Sequence, residues 1–95
     1  MNTYAIIERN SGYIWGVVKA TDPIEACRTM DADIGGEPRE YEEVYRETDL
    51  KENGYLVFKV ANGWWCDNYQ SEEHIADLVN NTDFAAYIRI LPFAG

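Results

Sequence analysis

The chain opens on two short runs that carry apolar side chains on both parities. Thr3-Tyr-Ala-Ile-Ile-Glu-Arg9 and Tyr13-Ile-Trp-Gly-Val-Val-Lys-Ala20 are rich in β-branched and aromatic residues, a composition that predicts strands. Asn10-Ser11-Gly12 between them is turn chemistry, so the pair reads as a hairpin. Apolar residues on both parities place these strands inside a sheet, with one face expected to be covered.

The period then changes. Asp22 is a capping residue, Pro23 suits the first helical position, and Glu25 stands three after the cap. Ile24, Cys27, Met30 and Ile34 form one narrow apolar stripe, and Gly35-Gly36 ends the helix. The next segment fits two patterns. Tyr41, Val44 and Tyr45 fit a helix face, whereas Tyr41, Glu43, Tyr45 and Glu47 fit one face of a strand. The β-prone Val-Tyr-Arg-Glu-Thr end, and Pro38 just before, favour a strand over 40–48.

Asp49-Leu-Lys-Glu-Asn-Gly54 reads as a polar turn and Tyr55-Leu-Val-Phe-Lys-Val-Ala61 as a strand. Asn62-Gly63 is a two-residue hairpin signal of type I′, with Trp64-Trp-Cys-Asp-Asn68 returning as partner strand. Ser71 caps a second helix with Ile75, Leu78 and Val79 on its apolar face, and Asn80-Asn81 closes it. Phe84–Leu91 is a last strand, stopped by Pro92. The predicted order is β-β-α-β-β-β-α-β. It implies an α+β fold in one domain over residues 1–95, a mostly antiparallel sheet with two helices packed on one face.

Charge changes this picture in one place. The chain holds 17 acids against 8 lysines and arginines. Nine of the acids (Asp31, Asp33, Glu37, Glu40, Glu42, Glu43, Glu47, Asp49 and Glu52) fall between residues 31 and 52, offset only by Arg39, Arg46 and Lys51. This stretch alone carries −6 of the net charge of −9. One reading is a solvated face that keeps the protein soluble. The other is a surface that a basic partner binds. On a strand, same-face carboxylates repeat about every 6.6–6.8 Å, a spacing of the same order as successive phosphates on a nucleic-acid strand. The run can therefore act as a DNA mimic.

The same acidity argues against direct contact with nucleic acid or an anionic membrane, both of which need lysine and arginine. No run approaches the roughly 20 apolar residues of a membrane span. The N-terminus lacks the basic and apolar regions of a signal peptide. The expected location is the cytoplasm. In a reducing compartment Cys27 and Cys66 read as small core residues rather than a disulfide.

No catalytic or cofactor motif competes with the acidic run. His74 is the single histidine, and the sequence places it on the exposed first turn of a helix. Cys27 falls on an apolar stripe, and Gly35-Gly36 lacks the lysine and hydroxyl residue of a phosphate loop. Adjacent acids such as Glu42-Glu43 point to different faces and form no acid–base couple by themselves. Neither a cofactor nor a metal is expected, and the chain is read as a non-enzyme. A second surface is aromatic. Trp64 and Trp65 on one strand must point to opposite faces, so one of them can anchor an interface.

Met1-Asn-Thr-Tyr-Ala-Ile, Ser11-Gly12, the helix following Ala20 and Val44-Tyr-Arg-Glu-Thr48 resemble a small phage-encoded protein of the type I anti-CRISPR group. The resemblance is confined to the first half of the chain. It implies an inhibitor of an RNA-guided complex or its nuclease, acting through acidic residues that occupy a basic channel, and it draws attention to Glu43, Arg46 and Glu47.

The expected function is therefore an acidic inhibitor that docks on a basic, nucleic-acid-binding surface of a CRISPR-Cas type I complex and blocks DNA engagement or nuclease recruitment. Glu37, Glu40, Glu42, Glu43, Glu47 and Asp49 would supply charge, and Trp64 or Trp65 an anchor. The alternative is an interaction or structural subunit, a homodimer formed through an edge strand or an aromatic face. A monomer and a homodimer both remain open.

Overall fold

The first hairpin forms as its pattern predicts. In the computed structural model, which describes residues 1–35, 39–50, 54–64 and 72–91, β1 spans Asn2–Glu8 and β2 spans Ile14–Ala20. Gly12 adopts φ 71°, the left-handed region that glycine enters without steric cost. Its amide donates to the Glu8 carbonyl at 2.9 Å, and the Glu8 amide donates to the Tyr13 carbonyl at 3.1 Å. Ile6 lies opposite Gly16 but Ile7 opposite Ile14, which leaves Trp15 as the extra residue of a β-bulge.

Helix α1 covers Pro23–Asp33. Asp22 is extended, and its Oδ1 accepts the Glu25 amide at 2.8 Å. Glu25 Oε2 reaches back to the Thr21 amide at 3.3 Å, so both orphan donors are used as in a capping box. Gly35, at φ 76°, turns the chain out after the Ile34 cap.

Strand β3 spans Glu40–Val44, a 3-10 turn covers Glu47–Leu50, β4 runs Gly54–Val60, helix α2 covers Glu72–Asn81 and β5 runs Asp83–Leu91. The five strands form one antiparallel sheet in the order β2-β1-β4-β5-β3. The fold is α+β, as expected.

Three expectations about its assembly need correction. The helices do not share a face. Tyr4 and Ile6 of β1 pack with Ala26, Cys27 and Met30 of α1, while Ala5 and Ile7 pack with Leu78 of α2. In β4, Tyr55 and Val57 join the first cluster, and Phe58 and Val60 the second. Adjacent strand residues point to opposite faces, so α1 and α2 cover opposite sides of the sheet. This is why β1 and β4 are apolar on both parities: both of their faces are buried.

Second, Asn62-Gly63 does make a turn, with Gly63 at φ 86° and the Trp64 amide donating to the Ala61 carbonyl at 2.9 Å. It does not return the chain as a partner of β4. One edge of β4 is taken by β1 over Tyr55–Val60 and the other by β5 over Gly54–Lys59. Trp64 lies outside any strand, and residues 65–68 of the expected strand lie outside the described residues.

Third, β3 stops at Val44 rather than at residue 48. Tyr45 and Arg46 form a bend and the chain tightens into the 3-10 turn, which buries Leu50. On the helices, Ile34 and Val79 are exposed, so each apolar stripe is one residue shorter than predicted.

Candidate functional site: an acidic sheet edge

The tyrosine at the second position fixes how β3 sits. Tyr41 is buried against the α1 face of the sheet. Its neighbours Glu40 and Glu42 therefore point to the opposite face, and Glu43 returns to the Tyr41 side. Across the strand pair, Glu40 stands opposite Leu91, Glu42 opposite Arg89 and Glu43 opposite Ile88. Among the described residues β3 has β5 as its one neighbour, so it forms an edge of the sheet. Charged side chains on such an edge also oppose pairing with other strands.

The acids are not equivalent. Glu42 forms an ion pair with the Arg89 guanidinium. Asp49 pairs with Arg46 at 3.3 Å within the bend and 3-10 turn. That second pair is solvent-exposed and contributes about 0–1 kcal/mol. Glu40, Glu43 and Glu47 are exposed and make no ion pair among the described residues. Glu37 lies outside the described residues. Among the described residues, three of these carboxylates are left without an ion pair.

Tyr45 stands between Glu43 and Glu47 and is 91% exposed. The strand expected over 40–48 would include it, and the expected anchor is Trp64 or Trp65; the structure instead puts Tyr45 in the bend after β3. The signal that marks it is the acidic bend itself: a large aromatic with no apolar neighbour at strand or helix spacing on its C-terminal side. Trp64 is half-buried against the Phe58, Val60 and Leu78 cluster. It lies beside Asp83, the first residue of β5, whereas β3 pairs with Tyr87–Leu91 at the other end of that strand. The structure therefore does not bring Trp64 to the acidic edge. Trp65 lies outside the described residues.

One acid of the run is not on the surface. Asp31, in the last turn of α1, is only 8% exposed. The Tyr55 hydroxyl donates to its Oδ1 at 3.1 Å, and Oδ2 has no partner among the described residues. Burial raises the pKa of the Asp31 carboxyl above its ordinary value, while the Tyr55 hydrogen bond and the charge of Arg39 pull it back. Burial, and then the neighbouring Asp31 charge, also push the Tyr55 hydroxyl upward. The position four residues after Cys27 puts Asp31 on the apolar side of the helix, and that spacing was visible in the sequence.

Burial likewise raises the pKa of the Cys27 thiol well above its ordinary value, which leaves it a poor nucleophile. Cys27 sits on the α1 face of the sheet and His74 on α2, across the sheet from it, so they do not form a pair. Cys66 lies outside the described residues. Among the described residues no three histidine, cysteine or acidic side chains gather as a metal site, and no helix is long and apolar enough to cross a membrane. No known protein family, curated protein or solved structure matches the chain.

Proposed function

We propose that this protein is a non-catalytic inhibitor that acts inside a host cell, docking its acidic sheet edge on a basic, nucleic-acid-binding surface of a larger complex. The observation that carries this reading is the run of three carboxylates without an ion pair among the described residues, Glu40 and Glu43 on the edge strand and Glu47 just past it, with the exposed Tyr45 in the bend between Glu43 and Glu47. Carboxylates without internal partners are free to pair with lysine and arginine. An exposed tyrosine adds contact area at low entropy cost. The N-terminal resemblance names the target class as a type I CRISPR-Cas complex, with DNA engagement or nuclease recruitment as the blocked step.

The test uses a purified type I complex and labelled target DNA. The native protein is expected to block DNA binding or nuclease recruitment, less effectively as salt rises. The triple variant Glu40→Lys, Glu43→Lys, Glu47→Lys should weaken inhibition by about two orders of magnitude, in line with loss of several charge-assisted contacts. Unchanged inhibition by that variant would sink the acidic-edge reading. No inhibition by the native protein would remove the CRISPR complex as the target.

A second reading, a homodimer, draws support from the other sheet edge. No acid lies between Asn10 and Thr21, and the exposed Trp15 sits on the β2 bulge there. For a chain of net charge −9, this is the edge where two copies repel least. Light scattering should then give a dimer mass that falls to a monomer in Trp15→Ala. A monomer at all concentrations for the native chain would dismiss this reading.

A further inference from the structure

We infer that Asn62-Gly63, the turn after β4, is a self-modification site at which the asparagine converts to aspartate and isoaspartate through a cyclic imide. The reaction needs only water. The Gly63 backbone nitrogen loses its proton and attacks the Asn62 side-chain carbonyl carbon. A new C–N bond closes a five-membered ring as the C–NH₂ bond breaks and ammonia leaves. Water then opens the ring at one of its two carbonyls. Attack at the side-chain carbonyl gives aspartate. Attack at the backbone carbonyl gives isoaspartate, in which the main chain runs through the former side chain and is longer by one carbon. Nothing is oxidised or reduced.

The chain holds this dipeptide twice, at Asn53-Gly54 and at Asn62-Gly63, and the structure separates the two. A glycine on the C-terminal side favours the attack, because no Cβ shields its nitrogen. Asn62 and Gly63 are both exposed, and a Cβ at Gly63 would meet no atom within 4 Å. Among the described residues the Gly63 amide donates no hydrogen bond; the turn is closed by the Trp64 amide instead. The attacking nitrogen is therefore accessible and uncommitted.

Gly54 is the opposite case. It is buried in β4 as the register partner of Arg89, and its carbonyl accepts the Arg9 amide at 3.0 Å. The rotation that closes the ring swings the glycine. Gly54 is hemmed in by Leu50 and the Ile88 carbonyl, so it cannot swing until the β4–β5 ladder opens.

The modification has a local structural consequence. Trp64 follows the turn directly and packs half-buried against the Phe58, Val60 and Leu78 cluster. Isoaspartate lengthens the backbone between Ala61 and Trp64, the two residues that the 2.9 Å turn bond joins, and so displaces the indole.

The experiment ages the ¹⁵N-labelled full chain in neutral buffer, with a second sample in guanidinium chloride. Trypsin cuts after Lys51, Lys59 and Arg89, which puts Asn53 and Asn62 on separate peptides. Fragmentation in a mass spectrometer locates each amide-to-acid change, and methylation by an isoaspartate methyltransferase identifies the isoaspartate. In the folded chain Asn62 should convert about tenfold or more faster than Asn53, because Gly54 reacts only in molecules whose ladder has opened. In denaturant the two rates should converge. The folded-state rate at Asn62 should rise with pH, as the attacking nitrogen must lose a proton. Asn62→Gln, whose longer side chain closes a ring far less readily, should stop the reaction at this position while Asn53 still converts in denaturant. The Trp64 indole N–H signal, assigned by Trp64→Phe, should shift as isoaspartate accumulates and stay in place in Asn62→Gln. Equal rates at Asn53 and Asn62 in the folded chain, or an Asn62 that converts only in denaturant, would overturn the site. A Trp64 signal that stays fixed while isoaspartate forms would overturn its consequence for the packing.

Discussion

Gly54→Ala should lower the stability of the fold by about 1–3 kcal/mol, the usual cost of forcing atoms into a filled core. The glycine is not there for its backbone freedom, since its φ is not among the positive values found at Gly12, Gly35 and Gly63. It is there for space. A Cβ at position 54 would lie 2.7 Å from Leu50 Cδ2 and 2.8 Å from the Ile88 carbonyl oxygen. The leucine can turn aside, at the cost of leaving a buried site. The carbonyl belongs to the β5 backbone and can yield only if the β4–β5 ladder shifts. Because Gly54 is the register partner of Arg89, such a shift is transmitted to the arginine that holds Glu42 on the acidic edge. Chemical denaturation should show a lower midpoint at unchanged slope, with a melting temperature lower by about 4–8 °C for each kcal/mol lost in a domain of this size. The double variant Gly54→Ala, Leu50→Ala should cost less than the two single changes added together, because removing Cδ2 relieves one of the clashes. Native stability in Gly54→Ala would mean that the ladder is looser here than its geometry indicates.

Much of this architecture is legible in the chain, and the parts that are not fail for physical reasons. The first hairpin and the start of α1 follow from local rules, because Asn10-Ser11-Gly12 and the Asp22, Pro23, Glu25 triplet act within a few residues. The β-prone Val-Tyr-Arg-Glu-Thr end points to a strand over 40–48, but only Glu40–Val44 forms one, and most of that end lies in the bend and 3-10 turn. The faces covered by the helices do not follow from local rules. The double-sided apolar pattern of β1 and β4 was the available signal, and it calls for cover on both sides rather than one. The Asn62-Gly63 hairpin fails differently. A local turn signal was sound, but strand order is a long-range property, and both edges of β4 are already occupied. The candidate site was legible as a region and not as a surface. Counting charges cannot show that Glu42 and Asp49 are engaged by Arg89 and Arg46, because the first of these pairs spans 47 positions in sequence.

The acidic run also hides a carboxylate with a different task, and its titration should leave a signature in the pH dependence of stability. Asp31 is buried and accepts one hydrogen bond from Tyr55, and its folded carboxyl titrates above the ordinary value of 3.8. The folded state therefore holds this proton more tightly than the unfolded state does. As pH rises from 3.8 through the folded value, the unfolded chain ionises first, and the stability that the protonated group contributed is lost. Asp31→Asn keeps an oxygen for the Tyr55 hydroxyl and removes the charge. The variant and the native protein should be equally stable at pH 3 or so. With rising pH the variant should become the more stable of the two, and the gap should level off once Asp31 is ionised in both states. Tyr55→Phe should act in the opposite sense. It strips the carboxylate of its one hydrogen bond among the described residues and should cost about 1–3 kcal/mol at neutral pH, with a smaller loss in acid, where Asp31 is neutral. Thermal melts of the three proteins from pH 3 to pH 8 check both signs, reading the differences between them so that the general self-repulsion of the acidic chain cancels. A pH-independent gap between Asp31→Asn and the native protein would show that the carboxylate is ordinarily solvated. A buried charge that costs stability is weak evidence for a packing role. Its place at the end of α1 instead ties the helix to β4 in the centre of the sheet, so that protonation or removal of Asp31 changes how firmly α1 covers the face on which Tyr41 positions the acidic strand.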